Sequence, residues 1–165
     1  WIDADAYFFL DSPDISKLIE KYSNYNFILS SDLDDLDIKT QNINRKNTSN
    51  INTGVIIIKN SEYSKKVIHD WTTSDELSKR GTEFQSLDQG MIRLCRAENI
   101  NNFQNNSIVL QYGVIQRFRD PYHGNYIQSF LYLSRYKPYI MHYAGVGDKE
   151  KILKSIDEYY SKHIL

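Results

Sequence analysis

Four consecutive β-branched residues, Val55-Ile56-Ile57-Ile58, constrain the fold of this chain more than any other feature. β-Branched side chains are stiff at χ1 and pack well on a pleated surface, so the run predicts a strand. A sheet with one wet face alternates apolar and polar residues, whereas an unbroken apolar run predicts a strand covered on both faces. Shorter runs of the same character occur at Phe27–Leu29, Ile108–Leu110 and Tyr139–Tyr143. Between them, apolar residues recur at helical spacing. Ile15, Leu18, Ile19 and Tyr22 form one set, with Ser12 before Pro13 as its start signal. Tyr63, Val67, Ile68 and Trp71 form a second, with Asn60 or Ser61 as N-cap. Leu87, Met91, Leu94 and Cys95 follow Ser86, and Ile152, Ile156, Tyr159, Tyr160 and His163 close the chain. Strands alternating with helices predict an α/β class.

A chain of 165 residues suits one domain or a large part of one. Lys and Arg (20) nearly balance Asp and Glu (21), and the net charge of −1 argues against nucleic-acid or membrane-surface binding, where a basic excess is expected. No run of about 18 apolar residues is present, so this stretch holds no transmembrane helix, and it has no signal-peptide pattern. Trp1-Ile2 reads as the end of a buried strand, which predicts a chain that extends upstream and carries any membrane anchor there. The lone Cys95 excludes an internal disulfide, and its helical apolar setting predicts a buried, inert thiol. The polar stretch Ser31–Asn50, with Asp32, Asp34, Asp35, Asp37, Arg45 and Lys46, reads as a long exposed loop, either functional or a solvated insertion. In Gln111–Tyr136 seven aromatic residues recur without clean periodicity, and Pro121 and Gly124 predict turns.

Four short elements carry chemistry. Asp3-Ala4-Asp5 places two carboxylates at a strand end, where a turn lets both approach one ion. Hard oxygen ligands suit Mg²⁺ or Mn²⁺, which keep open positions for phosphate oxygens. An exposed pair of acids is the plain alternative, made less fitting by the apolar flanks Trp1-Ile2 and Tyr7-Phe8-Phe9. Asn52-Thr53-Gly54 precedes the β-branched run. Gly54 allows close backbone approach or a strained turn, and Asn52 offers donor and acceptor to hydroxyl groups; the alternative is a turn that simply opens a strand. Leu87-Asp88-Gln89-Gly90 opens a helix, where Asp88 complements the helix dipole and a carboxylate beside an amide also suits sugar hydroxyls and a cationic anomeric centre. His142-Tyr143-Ala144-Gly145 follows an apolar strand, and a histidine at a strand end is either a metal ligand or a satisfied core residue.

Read in order, these elements resemble glycosyltransferase family 34, the galactosyl, xylosyl and mannosyl transferases with a GT-A fold. The matching residues are Trp1-Ile2-Asp3-Ala4-Asp5, Tyr25-Asn26-Phe27-Ile28-Leu29, Asn52-Thr53-Gly54 with its strand and Lys59-Asn60, the helix ending at Asp70-Trp71, Leu87-Asp88-Gln89, and His142-Tyr143-Ala144-Gly145. The similarity covers roughly residues 1–147. Families 8 and 77 share the Asp-X-Asp and Asn-Thr-Gly logic. The resemblance implies a GT-A-type nucleotide-diphospho-sugar transferase fold truncated at its N-terminus, with residues 1–165 forming the metal and acceptor half of the catalytic domain and the nucleotide-binding half upstream.

It also implies site roles. Asp3, Asp5 and His142 would hold Mn²⁺ or Mg²⁺. Asn52, Thr53, Gly54 and Gly145 would line the sugar and acceptor pocket. Asp88 would bind the donor sugar and Gln89 would stand near the anomeric carbon. Lys149 is the nearest candidate for a contact to the diphosphate. The implied partners are a nucleoside diphosphate sugar and a glycan or glycoprotein acceptor. The implied reaction retains anomeric configuration, and the implied location is the Golgi lumen for a eukaryotic enzyme or the cytoplasm for a bacterial or viral one. A non-catalytic carbohydrate-binding module of the same fold is the principal alternative.

Overall fold

The computed structural model describes residues 1–3, 6–8, 12–31, 51–84, 87–110, 113–118 and 139–142, together with Glu150, Lys154 and Ser161, each helical and exposed. The stretch 32–50 expected to be a loop, most of the aromatic stretch after Leu110 and the apolar positions expected to form a closing helix lie outside these residues.

The β-branched run sits where its composition requires. Strand β2 (Phe27–Ser31) is central in a three-stranded sheet, antiparallel to β3 (Ile51–Ile58) and parallel to β4 (Ser107–Leu110). Both faces of this sheet are covered. Phe27, Leu29, Ile56, Ile58 and Val109 join one core with Tyr63, Val67 and Trp71 of α2 (Glu62–Thr73), Ile92 and Cys95 of α4 (Leu87–Ala97), and Phe103 of α5 (Phe103–Asn106). Ile28, Val55, Ile57, Ile108 and Leu110 face a second core with Ile15 and Leu18 of α1 (Ile15–Lys21). That core also takes Ile140 from a second sheet, ordered β1 (Ala6–Phe8), β6 (Ile140–His142) and β5 (Gln116–Phe118), together with Ile115 and Tyr139 just before its strands. Phe27 is the hub of the first core, with ring centroids of Phe103, Trp71 and Tyr63 at 5.0, 5.6 and 6.3 Å. Cys95 is buried there as expected. Burial pushes its thiol pKa up, and the Trp71 indole N–H donates to its sulfur at 3.1 Å.

The helix starts refine the expectations. Ser61 caps α2, its hydroxyl accepting from the Ser64 N–H at 3.2 Å. The start of α1 is Asp14, not Ser12: the Asp14 carboxylate accepts the Ser16 N–H at 2.9 Å, two residues on, as an N-cap must. Two helices were not expected. In α3 (Asp75–Phe84) the apolar positions are few, and Gly81 is buried against α4, where a Cβ would stand 3.2 Å from the backbone nitrogen of Met91, so close packing against a neighbour supports the helix. The four residues of α5 are too few for periodicity, and they follow a 3₁₀ turn (Ile100–Asn102) flanked and entered by Asn99, Asn101 and Asn102 in the left-handed region, which asparagine tolerates better than most residues.

The opening residues differ from the expectation of a buried strand end. Trp1 is 73 % exposed and Phe8 43 %, and Ile2 makes a single antiparallel bridge to Val55. The exposed Trp1 indole N–H donates to the Asp3 carboxylate at 2.9 Å.

Candidate active site

The site grows out of an irregularity in β3. Ile28 faces Ile57 and Ser30 faces Asn52, so two residue steps on β2 are matched by five on β3. A strand with surplus residues bends and frees backbone groups from its ladder. Here the freed groups pair with the start of the chain. The Asp3 N–H donates to Gly54 O at 2.8 Å, the Ile56 N–H to Trp1 O at 3.0 Å, and the Trp1 nitrogen to Ile56 O at 2.9 Å. The bend therefore fixes the Asp3 backbone beside Gly54.

The imidazole comes from the other sheet. His142 lies on the central strand β6, paired with Ala6 on one side and Phe118 on the other. Its ring is buried and lies directly against Gly54: a Cβ on residue 54 would be 2.8 Å from Nε2 and closer still to Cε1 and Nδ1. Gly54 thus serves close approach rather than a strained turn, since Gly113 is the glycine with positive φ among the described residues. Across this contact, His142 Nε2 stands 3.6 Å from Asp3 Oδ2, while Asp3 Oδ1 accepts from the Trp1 indole at 2.9 Å. The Asp3 side chain is about one-third exposed and that of His142 almost fully buried, so the pair opens to solvent from the carboxylate side.

Behind the imidazole lies a buried amide chain. The Gly54 N–H donates to Asn52 Oδ1 at 2.9 Å, Gln116 Nε2 donates to the same oxygen at 2.7 Å, and Gln116 Oε1 is 3.1 Å from His142 Nδ1. Asn52 was expected to offer both donor and acceptor to a ligand. Its oxygen is instead committed to two internal donors, which leaves the amide N–H groups as its polar face. Gln116, fully buried on β5, was not foreseen. A single amide in Val114-Ile115-Gln116-Arg117-Phe118 has no pattern that marks it, and only the pairing of β5 with β6 reveals its place.

Of the other expected site residues, Thr53 and Gln89 come together, Thr53 Oγ1 standing 3.5 Å from Gln89 Oε1, the outer limit of a hydrogen bond. This contact ties the first turn of α4 to β3. Asp88 lies in the same turn, with its side chain outside the described residues, as are Asp5, Gly145 and Lys149 altogether. Among the described residues no three His, Cys, Asp or Glu side chains form a metal-sized cluster; Asp3 and His142 are the pair that the fold brings together. His69, given no role, is exposed on α2.

No curated protein matches the chain. No solved structure matches it either. A family model does, over residues 1–154, nearly the whole chain. The chain belongs to the nucleotide-diphospho-sugar transferase family, and so to the glycosyltransferases that draw on a nucleotide-sugar donor.

Proposed function

We propose that this glycosyltransferase is metal-dependent and retaining, similar to family 34, with Asp3, His142 and Asp5 as the protein ligands of one Mn²⁺ or Mg²⁺. The observation that carries this reading is the 3.6 Å approach of His142 Nε2 to Asp3 Oδ2 across Gly54. The donor set fits such an ion. Two ligand atoms each about 2.1 Å from one cation stand no more than about 4.2 Å apart, and Mn²⁺ accepts carboxylate oxygen and imidazole nitrogen together. The cation supplies charge neutralisation for the diphosphate as its bond to the sugar breaks.

The protein's own residues do the rest. Gly54 lets the imidazole stand against the backbone, so the ring cannot drift from Asp3. Asn52 donates through its amide to a sugar hydroxyl oxygen, its own oxygen being held by Gly54 and Gln116. Gln89, tethered to β3 through Thr53, stabilises positive charge at the anomeric carbon, and Asp88 in the same helical turn binds the donor sugar. Gly145 lines the pocket and Lys149 contacts the diphosphate. With no evident covalent nucleophile in this set, transfer on the same face as departure fits better than a double displacement through Asp88. The acceptor is a glycan or glycoprotein.

The test is a panel of nucleoside diphosphate sugars incubated with the intact protein, Mn²⁺ and carbohydrate acceptors. The expected result is nucleoside diphosphate release that needs both Mn²⁺ and acceptor, with a product whose anomeric configuration matches the donor by NMR. Metal-independent transfer contradicts the metal assignment, an inverted product contradicts retention, and donor-specific binding without turnover supports the carbohydrate-binding alternative.

A further inference from the structure

We infer that Gln116 is the positioning residue that fixes the tautomer of His142, with the hydrogen on Nδ1 and the lone pair of Nε2 turned toward Asp3. The inference rests on the metal reading of Asp3 and His142 and deepens it.

The argument starts from a group whose polarity is beyond choice. A backbone N–H can only donate, so the atom of Asn52 that lies 2.9 Å from the Gly54 nitrogen is the side-chain oxygen, not the amide nitrogen. The group of Gln116 that meets this oxygen at 2.7 Å must then be its NH₂. Its carbonyl oxygen is thereby turned to His142, 3.1 Å from Nδ1. An amide oxygen only accepts, so Nδ1 carries hydrogen. In the neutral ring this leaves Nε2 without hydrogen, as an acceptor, and Nε2 is the atom that faces the Asp3 carboxylate at 3.6 Å.

Two acceptors face one another in the neutral ring, an arrangement that repels unless a cation, either a metal ion or a proton on Nε2, lies between them. The polarity of the cation-facing atom is thus dictated, through two buried side chains, by a main-chain N–H of the bent strand. Gln116 is fully buried and Asn52 nearly so, and in such surroundings reversing Asn52 sets its NH₂ against two donors while reversing Gln116 sets its oxygen against that of Asn52. Metal-ligating histidines take their orientation and tautomer from a partner on the other ring nitrogen, and Gln116 is that partner here.

The test has a metal-free arm and a metal arm. In the intact protein without metal, at about pH 8 where a histidine of ordinary pKa is neutral, ¹⁵N spectra of the His142 ring are expected to show hydrogen on Nδ1. Hydrogen on Nε2 overturns the inference. In the metal arm, Mn²⁺ binding is followed by EPR. Gln116→Leu is expected to bind Mn²⁺ about 10- to 100-fold more weakly than wild type, and Gln116→Glu, which keeps an acceptor toward Nδ1 but loses the donor to Asn52, to recover only part of that loss. Unchanged Mn²⁺ affinity in a folded Gln116→Leu protein overturns the inference while leaving the metal site itself standing. Should neither variant fold, the wild-type spectrum decides alone. A wild-type ring with hydrogen on Nδ1 in a protein that takes no Mn²⁺ contradicts the metal reading and not the tautomer.

Discussion

Gly54 and the imidazole of His142 are in direct contact, leaving no room for even a methyl group between the bent strand and the ring. The ring cannot retreat easily, because His142 sits on the central strand of its sheet and Gln116 holds Nδ1. Gly54→Ala therefore forces either the ring or the bent strand that holds Asp3 to shift, and is expected to disturb the 3.6 Å approach of the two groups. A misplacement of about 1 Å in an active-site group costs on the order of 10²-fold in rate. Steady-state kinetics should show turnover falling by about that factor, with Mn²⁺ affinity falling in parallel. Full activity in Gly54→Ala would show that the position of the ring is not catalytically constrained.

The first core depends on Phe27, which is fully buried among Tyr63, Trp71 and Phe103 and joins the central strand to α2 and α5. Phe27→Ala removes a large aromatic side chain from a packed site, a change that typically costs about 3–5 kcal/mol. Urea denaturation is expected to show a loss of that size, and Phe27→Leu, which retains more of the volume, a smaller one. A loss below about 1 kcal/mol would mean that the core collapses around the cavity.

These two positions show what the sequence could and could not reveal. The α/β class is legible because an unbroken β-branched run and apolar residues at helical spacing each act locally, and Val55–Ile58 indeed divides its side chains between two cores. The start of α1 was misplaced because Ser12 and Asp14 are both good caps, and only the bond to Ser16 tells them apart. The approach of Asp3 and His142 could be expected only from the resemblance in the order of motifs, since each residue alone fits a structural role as well, and the contact of Gly54 with the ring was not legible. The bend in β3, the exposure of Trp1 and the place of Gln116 were not legible. Register, exposure and the far side of an imidazole are set by strands distant in sequence, and no local pattern encodes them.

The cap of α1 carries a pH dependence. The bond from Ser16 holds the Asp14 carboxyl below its ordinary value of 3.8. A carboxylate whose pKa is lower folded than unfolded contributes stability that is present above the unfolded value and lost as pH falls through the folded one. Asn caps a helix about as well as Asp but does not titrate. The difference in thermal midpoint between wild type and Asp14→Asn should therefore be constant above about pH 5 and shrink below about pH 4. A difference independent of pH would show that the charge on Asp14 adds nothing to the cap.

The account stands or falls on whether Asp3 and His142 share one cation. The direct measurement is an EPR titration of the intact protein with Mn²⁺, repeated on Asp3→Asn and His142→Ala, with thermal unfolding confirming that each variant is folded. The expected result is saturable binding at a single site in the wild type, weakened by more than about tenfold in both variants. A wild type without such a site, or affinity that survives unchanged in folded forms of both variants, would contradict it.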